Sequence, residues 1–405
     1  MGPLTRLLCA LIVSASLIGC SPDLLPSDGG VIGIVADQAA TGGPVGVTNP
    51  ATASADLESG SAATLVGAVR GSGNYQVFDL GAASAGDYWY VLMDDLGTSP
   101  RSFTVVLFDE HYDLLMRTVV SPRAPLEHIT RLDTSRVFLG VTPSYGSSGG
   151  DFRLNLQVSG GVSVPDPARQ VAYLDFAGSS GVSIHRRSAI SFPVFDGAML
   201  GDAYAEDTAA IRDWIVETVR QDYARFDVLV LSSDDGPPPA DGPYAHVYLG
   251  GYDDSLLGLA DSVDMYNQDP GEAAIVYVES FAQYHVMRLS SEQMALMVGN
   301  VASHELGHLL GLYHTMDPSE IMDSTGTAWD LAQDQAFCRA PLATTVFPTG
   351  MINTPLLLEQ TVGLRKTAHS SLKLLSPAKI AQRAQMREFA LSELSCRCGN
   401  CLSPD

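Results

Sequence analysis

One eleven-residue segment, residues 304–314, constrains this chain of 405 residues more than any other. Its sequence is HELGHLLGLYH. His304 and His308 are four residues apart, so on a helix both side chains project from one face about one turn apart. Two imidazoles at this spacing can bind one metal ion. Gly311 can end the helix in the left-handed conformation, so that the chain turns back and His314 approaches the same ion.

The type of donor atom predicts which metal this segment binds. Three nitrogen ligands favour zinc over calcium or magnesium, and they leave a fourth position open, as in catalytic zinc sites. Glu305 follows the first ligand and lies at the flank of the same helix face, where it can reach a water on the metal without being a ligand. Ser290 and Gln293 form a capping-box pattern, which predicts a helix over about residues 291–310.

A methionine downstream makes the pattern specific. Met322 lies eight residues after His314, in the sequence EIMD. With it, the chain resembles the metzincin metallopeptidases, whose pattern is HExxHxxGxxH followed by a methionine turn. The resemblance implies a twisted sheet with backing helices, one zinc ion on the three histidines, and Met322 as an apolar floor below the metal.

The same resemblance implies a reaction. Glu305 would take a proton from zinc-bound water as that water attacks a peptide carbonyl, and would deliver it to the leaving amine. Ser324 stands where some metzincins carry a tyrosine ligand, so we expect no tyrosine ligand, and Thr315 leaves the subfamily open. The expected function is a zinc-dependent endopeptidase acting on extracytoplasmic proteins. The alternatives are a surface-anchored binding protein with an inactive metzincin domain, or a zinc hydrolase of a non-peptide amide.

The N-terminus predicts export. Arg6 precedes an apolar run, residues 7–18, which is too short to span a bilayer and is typical of a signal-peptide core. Residues 17–21 resemble a bacterial lipobox, in which Cys20 becomes the lipidated first residue. This implies a lipid anchor at the bacterial cell envelope, at the outer membrane or cell surface. The alternative is an ordinary signal peptide with an unrelated cysteine.

Changes in composition and residue pattern along the chain predict a multidomain protein. We predict a lipoprotein-type signal peptide at 1–19, a flexible tether at 20–59, an antiparallel β-sandwich at 60–160, an α/β metzincin catalytic domain at 165–355, and a C-terminal helix with a Cys-rich tail at 356–405. Strands of the sandwich are expected at 65–70, 74–80, 88–93, 103–108, 136–142 and 152–158. Residues 73–80 and the last of these strands resemble the bacterial pre-peptidase C-terminal domain, which implies either a substrate- or glycan-binding module or a structural spacer.

Further strands and one helix are predicted in the catalytic region. The strands are expected at 171–176, 227–231, 245–249 and 274–278, and the helix places Ile211, Trp214, Ile215 and Val219 on one face. By resemblance to metzincins, strand 274–278 is the sheet edge that aligns an extended substrate. The loop at 323–335 is expected to wall the pocket beside the scissile bond.

Charge narrows the choice of partners. The formal net charge of −23 argues against nucleic acid and anionic lipid surfaces as electrostatic partners. One acidic stretch allows two interpretations, a structural calcium site or a solvated loop. Its members are Asp253, Asp254, Asp261, Asp264, Asp269 and Glu272.

The four cysteines beyond the lipobox are Cys338, Cys396, Cys398 and Cys401. In an exported protein they predict two disulfides with three possible pairings. One of the two bonds is expected to join Cys338 to the tail. The alternative is a second zinc site of four thiolates.

Overall fold

The computed structural model describes residues 57–97 and 102–366, together with the strands Val35–Ala36 and Ala53–Ser54. The predictions for Cys20 and for the three cysteines of the tail therefore lie outside the described residues. Within the described part, no helix combines the length and apolar character needed to cross a membrane.

The N-terminal part forms two five-stranded sheets that are almost entirely antiparallel. The sheet orders are β1-β3-β10-β5-β8 and β2-β4-β9-β6-β7, and only β1–β3 and β2–β4 pair in parallel. The strands are β1 Val35–Ala36, β2 Ala53–Ser54, β3 Ala62–Arg70, β4 Gln76–Asp79, β5 Tyr88–Met93, β6 Phe103–Phe108, β7 Leu114–Val120, β8 Leu126–Ile129, β9 Phe138–Pro143 and β10 Gly149–Ser159.

The two sheets share one apolar core. Trp89 and Phe152 of the first sheet are buried with Phe78 and Phe103 of the second, and Phe152 makes edge-to-face contacts with both phenylalanines. The alternation predicted for the last strand is present, since the apolar residues of β10 are buried in turn. The sequence missed β7 and β8, because β7 has no strict alternation and β8 has only four residues.

The C-terminal part is a mixed sheet with helices on one face. Its first elements are β11 Gln170–Asp175, β12 Ser179–Ile184, β13 Arg187–Phe192, α1 Thr208–Asp222, β14 Val228–Ser232, β15 Ala245–Leu249, β16 Gly258–Ala260, β17 Ala273–Val276 and α2 Ser291–Leu309. The sheet order is β14-β11-β15-β17-β16. Helices α1 and α2 pack closely at Gly299, which has no side chain. A Cβ at this position would lie 2.6 Å from the Cβ of Thr218. The hairpin β12–β13 covers the other face, where its Ile184 and Phe192 are buried in one cluster with Leu259 of β16.

The prediction of the sheet edge was wrong. Strand β17, predicted as residues 274–278, pairs with β15 on one side and with β16 on the other. The edge is β16, which runs antiparallel to β17. The chain passes beyond the position of β17, forms the edge strand, and then returns between β15 and β16. A strand of three residues, Gly-Leu-Ala, is too short to show a period in the sequence.

The remaining elements complete the core around α2. They are the 3-10 helices Gly197–Leu200, Asp202–Asp207 and Val278–Met287, then α3 Ala328–Leu331, β18 Arg339–Pro341, β19 Met351–Asn353 and α4 Thr354–Val362. Leu358 and Val362 of α4 are buried in the same apolar cluster as Leu306 of α2.

The two parts of the molecule are joined through an apolar interface. The Phe347 ring lies 5.8 Å from the ring of Tyr75 and 5.6 Å from that of Phe108. Gly140 of β9 leaves the space for Phe347, since a Cβ there would lie 2.6 Å from the Phe347 Cζ. The backbone N–H of Met351 also donates to the Tyr112 carbonyl at 2.8 Å. The β-sandwich is thus packed directly onto the sheet-and-helix part.

Candidate metal centre

Helix α2 carries the first two histidines and begins where the sequence predicted. Ser290 Oγ accepts from the Gln293 N–H at 3.2 Å, and Gln293 Oε1 accepts from the Ser290 N–H at 3.0 Å. This reciprocal cap satisfies N–H groups that the first helical turn leaves unpaired. The helix ends at Leu309, and Gly311 has φ +89°. A side chain at Gly311 would also lie 2.6 Å from the Met265 Cα, so both conformation and space require glycine here.

The turn after α2 brings the three histidines together. Ring centroids are 4.7 Å apart for His304 and His308, 4.7 Å for His308 and His314, and 5.1 Å for His304 and His314. One ring nitrogen of each lies within 4.8 Å of the others. The Nε2 atoms of His308 and His314 are 3.1 Å apart. The segment read from the sequence is therefore one cluster in space.

Backbone carbonyls fix the orientation of two of the rings. His304 Nδ1 is 2.8 Å from the Ile321 carbonyl and His308 Nδ1 is 2.7 Å from the Leu312 carbonyl. A carbonyl can only accept, so each Nδ1 carries the hydrogen and each Nε2 carries the lone pair. This is the arrangement of metal-binding histidines, whose second nitrogen is held by a backbone or carboxylate acceptor.

Burial keeps the three imidazoles neutral. It lowers the pKa of His304 to about 4 and of His314 to about 3, and it lowers the pKa of His308 well below its usual range. Neutral imidazole is the form that binds a metal. His304 Nε2 is buried with no hydrogen-bond partner among the described residues. A buried acceptor of this kind is costly unless it binds something, and the cluster that it forms with ring nitrogens of His308 and His314 fits a zinc ion.

Glu305 lies against the edge strand. Its side chain is fully buried, and within the described ranges neither carboxylate oxygen has a hydrogen-bond partner. Burial raises its pKa well above the usual range of a glutamate. A Cβ on Gly258 of β16 would lie only 2.4 Å from Glu305 Oε1, so glycine lets the strand backbone approach the carboxylate. The sequence had not identified Gly258, because a lone glycine in a loop-like segment carries no specific signal.

Met322 lies directly beneath the helical turn between the first two ligands. It is fully buried, and a Cβ on Gly307 would lie 2.5 Å from its Sδ. The Thr315 N–H donates to the Met322 carbonyl at 2.8 Å, and the Ser324 N–H donates to the Thr315 carbonyl at 3.2 Å. The predicted methionine turn is therefore held against the residue that follows His314.

A buried glutamate that sequence reasoning did not single out organises this turn. Glu320 accepts from the Met322 N–H at 2.5 Å, from Thr315 Oγ1 at 3.2 Å and from Thr354 Oγ1 at 2.9 Å. Burial raises the pKa of Glu320 to about 8. In the sequence, Glu320 is recognisable only as an acid two residues before Met322. An exposed acid in a loop would look the same, so the sequence does not show that Glu320 is buried.

The acidic stretch before β17 stabilises loops. Asp253 accepts from the Ser255 N–H at 2.9 Å and from the Leu256 N–H at 3.0 Å, and it pairs with Arg187. Asp261 accepts from the Ala273 N–H at 2.8 Å. Across the described residues, these acids form no group of three whose ligand atoms could share one ion. The calcium interpretation therefore gains no support.

Two further predictions concern residues near the centre. Cys338 is buried, and the tail cysteines predicted to pair with it lie outside the described residues, so the disulfides and the thiolate zinc site stay predictions. The loop at 323–335 contains α3, which Thr327 caps, and Trp329 with 58% of its surface exposed. Its role as a pocket wall also stays a prediction.

Comparisons with known proteins agree with this geometry. Residues 250–335, less than half of the chain, match the matrixin (Peptidase_M10) family model, and this range contains the histidine cluster, Glu305 and Met322. Matrixins are zinc-dependent. The match and the cluster together indicate a domain of the zinc metallopeptidase type. No curated protein sequence matches the chain.

Several solved structures are similar to parts of the chain at low identity and low TM-score. An archaemetzincin from Methanopyrus kandleri is 16% identical, with 48% of this chain and 95% of that chain covered, at a TM-score of 0.25. The pre-peptidase C-terminal domain of a Bacillus anthracis collagenase is 17% identical, with 28% and 99% covered, at 0.19. The periplasmic lysozyme inhibitor PliG from Aeromonas hydrophila is 13% identical, with 26% and 96% covered, at 0.22. Scores this low support no inference about activity.

Proposed function

We propose that this chain is a zinc-dependent endopeptidase. The observation that carries the proposal is the convergence of three neutral, buried imidazoles beside a buried carboxylate whose oxygens have no partner in the described part of the chain. His304, His308 and His314 would hold the ion. When bound, zinc acts as a Lewis acid that polarises a carbonyl oxygen and lowers the pKa of a water.

Glu305 is the proposed general base and acid. Its position at the flank of the His304–His308 face and its two unpaired oxygens leave it able to accept a proton from water and to return that proton to the leaving amine. The Glu305 carboxyl group does not stabilise the fold, because a buried acid without a hydrogen-bond donor destabilises the folded state. A role in chemistry gives a physical reason for its presence.

The edge strand is the proposed docking site for substrate. Strand β16 lies at the end of the sheet, and Gly258 places its backbone against Glu305. An extended peptide that adds to this edge would hydrogen-bond to the strand backbone and would pass close to the general base. Backbone pairing recognises any extended chain, which suits a protein substrate rather than a small molecule.

The test is hydrolysis of casein or a peptide library by the full-length protein. We expect cleavage that disappears with a chelator and returns with zinc. Glu305→Gln should keep stoichiometric zinc and lose about 10²–10⁴-fold in activity, the usual contribution of a general base. His308→Ala should lose both zinc and activity.

Other outcomes would decide against the proposal. Zinc binding by the wild type without cleavage of any peptide would favour the inactive binding protein. Zinc-dependent release of ammonia or amine from a non-peptide amide alone would favour the non-peptide hydrolase. Full activity of Glu305→Gln would refute the assigned base.

We also propose that the enzyme is exported and lipid-anchored through Cys20. This proposal rests on the signal-peptide pattern of residues 6–18 and the lipobox pattern of residues 17–21, which lie outside the described residues. Cys20→Ala expressed in a bacterium should lose incorporation of labelled fatty acid and should leave the membrane fraction. Equal labelling of the variant and the wild type would exclude the lipobox.

A further inference from the structure

Strand β7 of the sandwich contacts the chain on both sides of the turn that carries the third histidine. Its Arg117 places the guanidinium carbon 5.0 Å from the ring centroid of Tyr313, the residue before His314. The Tyr313 hydroxyl donates to the Arg117 carbonyl at 3.4 Å. Cation–π contacts of this kind stabilise most when they are shielded from water, and the Tyr313 side chain is buried.

Arg117 also binds the backbone segment, residues 343–346, that hydrogen-bonds to His314. Its Nε donates to the Val346 carbonyl at 3.2 Å. The Val346 N–H donates to the Ala343 carbonyl at 2.8 Å, and the Ala343 N–H donates to the His314 carbonyl at 2.9 Å. One arginine of the sandwich is thus connected to the backbone of His314 by two routes.

A second contact from β7 supports the other side of the turn. The Tyr266 hydroxyl donates to the Leu115 carbonyl at 2.7 Å, and the Arg131 guanidinium lies 4.0 Å from the Tyr266 ring centroid. Tyr266 has φ +66°, a left-handed conformation that a tyrosine adopts only when its surroundings impose it. The preceding Met265 lies against Gly311.

The sandwich therefore restrains a turn that could otherwise move. His304 and His308 are fixed by helix α2, whereas His314 sits in irregular chain after Gly311. If that turn samples several conformations, only the fraction with His314 in place binds metal with full affinity. Contacts that hold the turn raise this fraction.

We propose that the β-sandwich positions the metal centre, with Arg117 and the Leu115 carbonyl of β7 holding Tyr313 and Tyr266 and thereby His314. Arg117 and Tyr266 are positioning residues, since they act through the turn. This inference rests on the proposed zinc function. It assigns the sandwich a role in metal binding, in place of a substrate module or a passive spacer.

The experiment measures the zinc dissociation constant of the full-length, metal-free protein by competition with a chromogenic chelator. Arg117→Ala should weaken zinc binding by about 10–100-fold, as the loss of groups that orient ligands does. Tyr266→Phe, which removes one hydroxyl, should weaken it by about two- to tenfold. Arg117→Lys should recover part of the loss because it keeps the cation.

The matched control is Arg70→Ala, which removes an arginine from an exposed ion pair with Asp151 in the same sandwich. Its zinc affinity should equal that of the wild type. The thermal unfolding midpoint of each metal-free variant shows whether the fold is intact. Loss of a positive charge near a cation would by itself strengthen zinc binding, so a weaker affinity in Arg117→Ala reports geometry.

Each outcome decides something. Zinc affinity of Arg117→Ala equal to that of Arg70→Ala would overturn the positioning role and leave the zinc function intact. If Arg117→Ala fails to fold, Tyr266→Phe decides, and unchanged affinity there overturns the inference. A wild-type protein that binds no zinc would instead refute the proposed function.

Discussion

Two polar groups in the sandwich core, Trp89 and Asn155, differ in their hydrogen bonding from two that helix α2 buries, His304 and Glu305. In the sandwich, Trp89 Nε1 donates to Thr130 Oγ1 at 2.9 Å, and the buried Asn155 accepts from Thr64 and donates to Asp94. In helix α2, Glu305 and His304 Nε2 are buried without a hydrogen-bond partner in the described part of the chain. The first arrangement stabilises a fold, whereas the second leaves nitrogen and carboxylate lone pairs available to a ligand, as the proposed function requires.

The largest expected loss of stability comes from removing a paired, buried group of the sandwich core. Trp89→Ala should reduce the free energy of unfolding by about 3–5 kcal/mol, because it empties a fully buried site and leaves Thr130 without its donor. Urea unfolding of the full-length protein measures this. The control is Trp329→Ala, since Trp329 is largely exposed and should change stability by no more than about 0.5 kcal/mol. Similar losses in both variants would contradict a well-packed sandwich.

An intermediate effect is expected where the edge strand meets the catalytic helix. Gly258→Ala places a methyl group 2.4 Å from Glu305 Oε1, so the strand or the carboxylate must shift. We expect a loss of about 1–3 kcal/mol in stability from overpacking. We also expect about 10²-fold lower kcat/KM from misplacement of the base.

The control for that change is Gly271→Ala. Its Cβ would lie 3.3 Å from Asp269 Oδ1, a contact that a flexible side chain can relieve. Unchanged kcat/KM in Gly258→Ala would show that the close approach of strand and carboxylate has no part in catalysis.

The smallest expected effect is the pH dependence of stability that arises from Glu320, the buried acid beside Met322. The pKa of Glu320 is raised to about 8 by burial, against 4.5 for an ordinary glutamate. The folded state therefore keeps a proton that the unfolded state releases, so its contribution to stability is complete below pH 4.5 and is lost as pH rises through 8. Between pH 6 and pH 7 the loss is at most about 1.4 kcal/mol.

Glu320→Gln should flatten this part of the pH dependence, because glutamine cannot ionise. Unfolding free energies of metal-free wild type and variant at pH 6 and pH 7 measure the difference, and Glu206→Gln on the surface is the control. A slope unchanged in Glu320→Gln would show that this carboxyl is ionised in the folded protein. In that case this buried acid near α2 would be paired, as Trp89 and Asn155 of the sandwich are.

The sequence predicted the active-site helix and its cap well, because these depend on local chemistry. The observed helix begins at Ser291 and ends one residue before the predicted limit, and Gly311 has the expected left-handed conformation. Strands Tyr88–Met93, Phe103–Phe108 and Ala245–Leu249 coincide with their predicted ranges. Each is a run of five or six residues that is rich in β-branched, aromatic or other apolar side chains, which distinguishes a strand from a loop.

The errors and omissions arose where pairing partners are distant in the chain. The resemblance to metzincins predicts the edge at residues 274–278, and the three-residue β16 has no period by which the sequence could indicate another edge strand. The order of strands depends on which segments pair. The role of Gly258 was missed because it depends on Glu305, which is distant in sequence. The role of Glu320 was missed because its burial and its bond from Thr354 depend on packing with distant parts of the chain.

The sequence by itself determined which chemical groups are present, since His304, Glu305, His308, His314 and Met322 supply three imidazoles, an acid and an apolar side chain at fixed spacing. Only the tertiary structure decided how these groups are held. It placed the edge strand against Glu305 and strand β7 of the sandwich beside the turn of His314. The physical reason is that spacing along a helix is set by local geometry, whereas the approach of separate strands depends on packing across the whole molecule.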